Sequence, residues 1–472
     1  MVKNEFENYK LWVNDVENRY KRGSKSIDIN YLDGASFSDW YLKIFNNNNT
    51  DYVNKQRNRY RTPFQLERDR ILYSPLLFRL AEKTQLFTSE KALKENRLTH
   101  TIKVVQISRS LGQGLQLNED LIEAIALGHD IGHPPFGHIG EEALNEWIKE
   151  KIPQNKGQQT LIQEDVLLLN KICTGYKESV KRYFMCGNDP NEVLFMHGKQ
   201  SFRLLAFKRK PERREYLRFT KPVMYGIWRH SRKNSETDCE FKFKKTVNDK
   251  KIALYGKEDV TLEAQVVRYA DDIAWIISDL TEGLNQKLIS SKDFATIIES
   301  VEDSSIERLH YLLECEKLDK LYTFFIYDFI ITNTKKLKDR NDNKVRLAFS
   351  DTIEEIFKKF KTLIEEKVHR IHFLSRGSEV NKSRINALCE WYFKNPKNFL
   401  KEFLHMQKKD GFPIQIPVIE GHDIEYTEYA ICKDLLLNDD IYKMSVIVDF
   451  VSALTDIEVC RLSETMPYQF GS

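Results

Sequence analysis

The chain has 472 residues, of which 41% are hydrophobic and 30% charged, a composition typical of a globular protein with a large core. Its 73 basic and 70 acidic residues leave a formal charge of +3, which excludes a general polyanion binder and leaves only local phosphate attraction. The seven scattered cysteines form no CxxC pair, which argues against a disulfide framework or a thiolate zinc site. Because no apolar run reaches about eighteen residues and the start is charged, we expect a cytoplasmic protein without a membrane span.

Apolar residues recur at helical spacing through most of the chain, which predicts a mainly α fold. Residues 1–60 read as a helical extension that ends in a polar tract. Helices are predicted at 69–84, 99–111 and 119–128, the last with Asn118 as its N-cap. This third helix is apolar almost all round, so we expect it to be buried and to present His129 and Asp130 at its end.

The second half of the chain is also predicted to be helical. An irregular region at 150–258 contains a basic segment, 208–233, and precedes a strong helix at 261–280. Charged amphipathic helices follow at 324–331, 352–373, 386–403 and 442–454, and a strand signal lies at 413–418. We therefore predict an extension (1–60), a central core (61–285) with a basic insertion at about 195–258, and a C-terminal helical region (286–472) that packs on the core.

The segment from His129 to Ile139 concentrates three histidines and an aspartate, interrupted by glycines and a Pro-Pro pair that stop a helix. Histidine and aspartate together suit a divalent metal, and histidines beyond the ligands can transfer protons. A His-Asp pair at the end of an apolar helix places a charge where burial is costly unless the charge is bound. The segment therefore indicates a metal-dependent hydrolase.

Two further ligand candidates come from other predicted helices. His100 precedes the pair, and one aspartate of Asp271-Asp272 follows it in another predicted helix. Such mixed nitrogen and oxygen ligation suits Mn, Mg, Fe, Co or Zn.

These residues belong to a longer set of short sequence motifs, or words, that follow one another in a fixed order along the chain. The set resembles the deoxyguanosinetriphosphate triphosphohydrolase-like (dGTPase-like) family of the HD-domain phosphohydrolases, whose signature is H…HD…D. The resemblance covers about 61–280 and resumes near 448–456. It rests on the words at 61–64, 69–71, 78–80, 83–87, 97–100, 128–138, 263–267 and 270–274.

The resemblance implies an HD-domain helical core and a metal held by His100, His129, Asp130 and Asp271. Spacing supports Asp271 over Asp272, because Trp275 and Asp279 lie four and eight residues further on, on the same helix face. The implied reaction is hydrolysis of a deoxynucleoside triphosphate (dNTP), dGTP or several dNTPs, to deoxynucleoside and triphosphate. The matching catalytic residues are His138 with its acidic partner Glu141, and His133 matches a second active-site histidine. The residues that match substrate contacts of the family are Gln85, Arg97, Arg229, His230, Lys251, Trp275 and Asp279.

Several of the matching words differ from the family pattern. Trp275 stands where the family usually has tyrosine, and Arg229-His230 stands where it commonly has Lys-Tyr. The word Phe195–Gln200 has Gly198 in place of the family's asparagine. These departures lie in substrate-facing segments, so the preferred base is not inherited from dGTPases.

Two other functions agree with the same residues. Another HD chemistry, such as that of a phosphodiesterase or an alarmone hydrolase, would use the same ligands. A regulatory protein that senses nucleotides and binds nucleic acid is suggested by the basic segment 208–233, since clustered cations can follow phosphates. The resemblance also implies a homo-oligomer, tetramer or hexamer, with single-stranded DNA or an allosteric nucleotide as a possible partner.

Overall fold

Helices dominate the secondary structure of the computed structural model, and the predicted mainly α fold is confirmed. The described residues are 63–85, 95–115, 117–151, 195–207, 219, 221–230, 244–247, 250–253, 261–299, 307–314, 317–338, 346–407 and 440–466. The first helices are α1 (Pro63–Leu72), α2 (Pro75–Phe78), α3 (Arg97–Gly114), α4 (Glu119–Gly128), α5 (His138–Lys151), α6 (His197–Phe207) and α7 (Lys221–Arg229). An antiparallel hairpin of β1 (Lys244–Val247) and β2 (Lys250–Ala253) comes next.

The remaining helices follow the hairpin. They are α8 (Leu262–Asn285), α9 (Ser291–Glu299), α10 (Glu307–Glu314), α11 (Leu321–Lys338), α12 (Asp351–Ile364), α13 (Arg370–Phe373), α14 (Arg376–Lys394), α15 (Pro396–Gln407), α16 (Asp440–Ala453) and α17 (Asp456–Thr465). Within the described residues, no helix is both long and apolar enough to cross a membrane.

The buried helix α4 lies at the centre of the fold. It packs against α1, α3, α7 and α8, and its residues from Leu121 to Gly128 are buried apart from Glu123. The Asn118 side chain accepts the N–H of Leu121, as predicted, and acidic residues occupy the first turn, where the helix dipole favours them. Because α4 ends at Gly128, His129 and Asp130 emerge inside the protein.

Side-chain caps fix where the two neighbouring helices begin. Asn96 and Thr99 form a capping box at the start of α3, and Thr261 accepts the N–H of Ala264 at the start of α8. Helix α3 carries His100, and α8 carries Asp271. Because the caps fix where both helices begin, they help to fix how far along each helix these two side chains lie relative to the end of α4.

The C-terminal helices pack directly on this core. Helix α14 contacts α5, α16 and α17, and α12 contacts α8, so that one hydrophobic cluster runs through both regions. The Asp456 carboxylate accepts the backbone N–H groups of Thr84 at 2.9 Å and Phe136 at 2.8 Å. The segment at 448–456 therefore reaches the Pro-Pro loop that follows Asp130. The proposed domain boundaries stay predictions.

Proline explains where the predicted helices differ from the structure. The single helix predicted at 386–403 is wrong, because α14 ends at Lys394 and α15 begins at Pro396. Asn395, which precedes the proline, lies outside the helical region at φ −124°, ψ 63°, since a following proline disfavours α conformation. Pro75 similarly starts a new helix within 69–84, with Ser74 as its N-cap.

Two other differences concern less regular segments. The helix predicted at 352–373 contains a π turn at Glu365–His369, and the hairpin at 244–253 was not predicted from the sequence. The predictions for residues 1–60 and 413–418, and for 208–218 of the basic segment, lie outside the described residues.

Glycine allows helix α6 to cross the Pro-Pro loop at very short range. A Cβ atom added to Gly132 would lie 2.2 Å from the backbone nitrogen of Ser201 and 2.4 Å from the carbonyl oxygen of His197. The Gly132 N–H also donates to the Ser201 hydroxyl at 2.8 Å. The position therefore tolerates no side chain without movement of the start of α6.

We expect Gly132→Ala to destabilise the protein by about 1–3 kcal/mol, because the new methyl group meets backbone atoms. Gly112→Ala is the matched control, since its Cβ would meet only the flexible end of Ile122 and alanine favours helix by about 1 kcal/mol. Urea unfolding of both variants measures the difference. Equal free energies of unfolding for the two variants would contradict this account of the loop.

Lys83 links the Pro-Pro loop to the C-terminal region from a buried position. Its Nζ donates to the carbonyl of His133 at 2.5 Å and to that of Ser452 at 2.9 Å. Burial, together with the positive charges of Arg79 and Arg97, lowers the pKa of Lys83 from 10.5 to about 7. A neutral amine still has two N–H groups for the two carbonyls.

The lowered pKa of Lys83 predicts how stability depends on pH. Between about pH 7 and 10.5 the unfolded chain binds more protons at Lys83 than the folded chain, so this group makes stability rise with pH. Relative to Lys83→Met, we expect the wild-type free energy of unfolding to increase by at most about 1.4 kcal/mol per pH unit in that window. Guanidinium unfolding from pH 6.5 to about 10 tests this. The exposed Lys292→Met serves as control, and a difference that is flat with pH would refute the assignment.

Candidate metal centre and active site

Three helices bring the four predicted metal ligands together. His100 Nε2 lies 3.0 Å from Asp271 Oδ1, and His129 Nε2 lies 3.8 Å from the same oxygen. His129 Nε2 is also 3.3 Å from Asp130 Oδ1. Ligand atoms of His100, His129 and Asp130 all lie within 4.8 Å of one another. The site is buried, with side-chain exposures of 4% or less for these three residues and 23% for Asp271.

The hydrogen bonds of His129 leave one ring nitrogen for a ligand. Its Nδ1 lies 2.7 Å from the carbonyl oxygen of Ala126, so Nδ1 carries the proton and the lone pair of the neutral ring is on Nε2. Within the described chain this buried Nε2 has no hydrogen-bond partner. A buried nitrogen acceptor facing two carboxylates fits a cation, and the donor set suits Mn, Mg, Fe, Co or Zn.

Imidazole and guanidinium neighbours keep the two carboxylates ionised despite their burial. Burial alone would raise the pKa of Asp130, but the adjacent rings of His129 and His133 and the guanidinium of Arg97 hold it well below its usual range. Arg97 Nη1 donates to Asp130 Oδ2 at 2.9 Å. For Asp271 the effect of burial is likewise outweighed, first by the hydrogen bond with His100, and the pKa falls to about 2. Both aspartates are therefore anionic at neutral pH.

The predicted catalytic residues lie at the start of α5, just beyond the Pro-Pro turn. The helix begins at His138, as the i, i+3 spacing requires, and His138 Nδ1 lies 3.3 Å from Glu141 Oε2. The His138 side chain is 53% exposed, whereas that of Glu141 is only 15% exposed. His133 is buried, with Nδ1 3.0 Å from Asp130 Oδ1, so it lies between the metal ligands and His138.

His197 belongs to this cluster, although sequence reasoning did not select it. Its Nδ1 lies 3.2 Å from Glu141 Oε2, its backbone N–H donates to Glu141 Oε1 at 2.9 Å, and its ring stacks on His133 at 3.7 Å between centroids. The available signal was its position beside Gly198, within the word Phe195–Gln200 that departs from the family pattern. Glu141 has a pKa well below its usual range because His197 and His138 outweigh the effect of burial.

His230, predicted as a substrate contact, faces two other histidines, His197 and His129. Its Nδ1 lies 2.6 Å from the carbonyl oxygen of Ile227, and its Nε2 lies 3.3 Å from Nε2 of His197. The ring also meets His129 edge-on, with 5.0 Å between centroids. Burial, with His129 and His197 nearby, lowers the pKa of His230 to about 3, so a neutral imidazole occupies this position.

Helix α8 arranges three predicted residues along one face. Beyond Asp271, the ring of Trp275 lies 6.0 Å from that of His369, which in turn lies 2.7 Å from Asp279 Oδ2. Burial raises the pKa of Asp279 above its usual range, although His369 opposes the shift. Asp272 accepts from Lys361 Nζ at 2.9 Å and from Trp275 Nε1 at 3.0 Å, so the indole N–H is directed to Asp272. The choice of Asp271 as the ligand stays a prediction.

The other predicted substrate residues differ in how close to the Pro-Pro loop the structure places them. Within the described chain, Gln85 has a buried side-chain oxygen without a hydrogen-bond partner, and so do two nitrogens of Arg97, Nε and Nη2. Both residues lie beside the loop, because a Cβ on Gly137 would be 2.6 Å from Arg97 Nη2 and 3.3 Å from the carbonyl oxygen of Gln85. Arg229 is half-buried at the end of α7. Lys251 lies in β2, and the structure describes its backbone but not its side chain.

Comparison with known proteins agrees with this site. The family model of the HD domain matches residues 97–174, which include His100, His129, Asp130 and His138. A deoxyguanosinetriphosphate triphosphohydrolase-like protein of Clostridium tetani is 27% identical over 82% of this chain and 88% of its own length. One from Wolinella succinogenes is 28% identical over 75% and 88%.

A third protein with the same name, from Syntrophus aciditrophicus, is 34% identical over 50% of this chain and 46% of its own length. Residues 97–174 therefore match the HD domain, and over most of its length the chain is similar to deoxyguanosinetriphosphate triphosphohydrolase-like proteins.

Proposed function

We propose that this protein is a metal-dependent dNTP triphosphohydrolase, which converts a dNTP, dGTP or several dNTPs, to deoxynucleoside and triphosphate. The observation that carries the proposal is that His133 links the predicted ligands to the predicted proton-transferring group: its Nδ1 lies 3.0 Å from Asp130 Oδ1, and its ring centroid lies 5.6 Å from that of His138. A phosphohydrolase needs both a cation site and a proton-transferring group. The names of the similar proteins support the substrate class.

A divalent ion held by the four ligands would neutralise phosphate oxygens and act as a Lewis acid. The residues themselves supply orientation. Arg97 binds one oxygen of Asp130, which leaves the other directed toward His129 and His133. The buried and unsatisfied Nε and Nη2 atoms of Arg97 could receive a phosphate oxygen, since the planar guanidinium suits that geometry.

His138 is proposed to move the proton in the reaction. Its Nδ1 faces the ionised Glu141, so this nitrogen holds its proton, and exchange takes place at Nε2. Protonated there, His138 can donate to the departing 5′ oxygen; neutral, it can accept a proton from water. Because half of the side chain is exposed, a substrate could reach it from solvent.

Nearby polar groups are proposed to recognise the substrate. The unsatisfied oxygen of Gln85 is suited to accept a hydrogen bond from the sugar 3′-hydroxyl. Trp275 and Asp279 lie further along α8, on the face that carries Asp271, where an aromatic ring can stack on part of a nucleoside. Lys251 and Arg229 complete the proposed set as cations for the phosphate chain.

A second candidate function is another nucleotide phosphohydrolase or phosphodiesterase of the HD type. The observation that favours it is the presence of His197 and His230 close to Asp130, imidazoles that the resemblance to dGTPases does not explain. Homo-oligomer formation, and binding of single-stranded DNA or an allosteric nucleotide, stay predictions, because residues 208–218 of the basic segment lie outside the described residues.

Product analysis separates these functions. We expect the purified protein with Mn²⁺ or Mg²⁺ to release triphosphate and deoxynucleoside from at least one dNTP, and chelation of the metal to abolish the reaction. Anion-exchange chromatography identifies the products, with the Asp271→Asn variant as a ligand-deficient control. Release of pyrophosphate and dNMP, or failure to hydrolyse any dNTP, would refute the proposed activity.

Removal of the proton-transferring group should slow turnover without loss of metal. We expect His138→Gln to lower kcat by about 10²–10⁴-fold, while Mn²⁺ binding stays at the wild-type level. The exposed His405→Gln, on α15, is the matched control and should retain full activity. If His138→Gln kept wild-type kcat, or lost Mn²⁺ together with activity, His138 would not have the assigned role.

A further inference from the structure

We propose that His197 and His230, together with Asp130, bind a second divalent cation next to the first, so that the active site is a two-metal centre. The ligand atoms of these three residues lie within 4.8 Å of one another. His197 lies at the start of α6 and His230 follows α7, so two further helices supply this second site. The inference concerns metal content and does not depend on which nucleotide is hydrolysed.

The two imidazoles face each other through the nitrogens that carry lone pairs. Nδ1 of His230 lies 2.6 Å from the Ile227 carbonyl oxygen, and Nδ1 of His197 lies 3.2 Å from the Glu141 carboxylate. Both contacts place a proton on Nδ1, so Nε2 carries the lone pair in each ring when that ring is neutral. The two Nε2 atoms are only 3.3 Å apart. Burial opposes protonation of His197 but the Glu141 carboxylate raises its pKa, so a proton on His197 Nε2 and a cation between the rings are the two species that this separation accommodates.

A metal ion fits this separation. Two imidazole nitrogens about 2.1 Å from one cation lie about 3.0–3.4 Å apart in octahedral or tetrahedral geometry. A carbonyl or carboxylate that accepts the opposite ring N–H is the usual support of a metal-bound histidine, because it orients the ring and raises its basicity. His230 and His197 each have such a support.

Asp130 is the carboxylate that the two sites would share. Arg97 Nη1 donates to its Oδ2 at 2.9 Å, which leaves Oδ1 directed toward the imidazoles. Asp130 also approaches the first ligand set through His129, so its carboxylate can be shared, as in two-metal hydrolytic sites.

A neighbouring group of potential ligands is less suitable. His133, His138, Glu141 and His197 also have ligand atoms within 4.8 Å of one another. However, Glu141 Oε2 already lies 3.3 Å from His138 Nδ1 and 3.2 Å from His197 Nδ1. In that group the carboxylate orients the imidazoles, whereas the lone pair of His197 points toward His230.

Counting bound metal tests the proposal on the full chain. After removal of metal by chelation, equilibrium dialysis against Mn²⁺ alone should give two ions per wild-type chain. His197→Gln and His230→Gln should each bind one, and His100→Gln should lose the first ion while retaining the second. The exposed His405→Gln is the control and should bind two. One ion in the wild type, with no change in His230→Gln, would overturn the proposal and assign a shared proton to the histidine pair.

A measurement on the unmodified protein covers the case in which a variant fails to fold. Two Mn²⁺ ions that share the Asp130 carboxylate should give an exchange-coupled electron paramagnetic resonance spectrum. An uncoupled spectrum at full occupancy of both sites would show that the ions are separate and would refute the shared site. The result is independent of the proposed activity. A protein with two ions that forms no triphosphate would refute the dNTPase proposal alone, and an active protein with one ion would refute only the second site.

Discussion

The buried carboxylate of Asp130 is the group on which the rest of the site depends. Only 3% of the residue is exposed, and an anion at such a position is costly unless cations or hydrogen-bond donors surround it. Arg97 from α3 pairs with one oxygen, and the rings of His129 and His133 approach the other. The ends of α3 and α4 and the following loop are thus held together by one charge, to which a metal ion would add a further counter-charge.

The loop after Asp130 adopts its conformation only because distant parts of the chain support it. Phe136 and Gly137 both have φ near +60°, a conformation that is unfavourable for phenylalanine. The N–H of Phe136 donates to Asp456, and Lys83 binds the carbonyl of His133. The C-terminal helices therefore help to keep His133 and His138 on opposite sides of the Pro-Pro turn, and the site is a product of the whole fold.

Local chemistry explains which parts of this arrangement were predictable. The N-cap Asn118 and the apolar helix after it follow from spacing along one element, and the structure agrees with both. The choice of Asp271 needed the family resemblance as well as spacing, and it stays a prediction. His197 was not predictable by the same means, because its significance depends on α6 crossing the loop at Gly132. The break before Pro396 was readable in principle, since the proline effect is local, but helical periodicity on both sides concealed it.

Glu141 connects the two kinds of chemistry in the site. One of its oxygens lies near Nδ1 of both His138 and His197, and the other accepts the backbone N–H of His197. A carboxylate fixed in this way cannot rotate freely, so the exposed His138 is oriented by a buried anchor without being buried itself. That division is physically sensible, because a group that exchanges protons must reach solvent or substrate, whereas its orientation is best set where side chains cannot move. The same carboxylate orients His197 toward His230. A change at His138 will therefore alter the position of His197 through Glu141, and a change at His197 will alter that of His138.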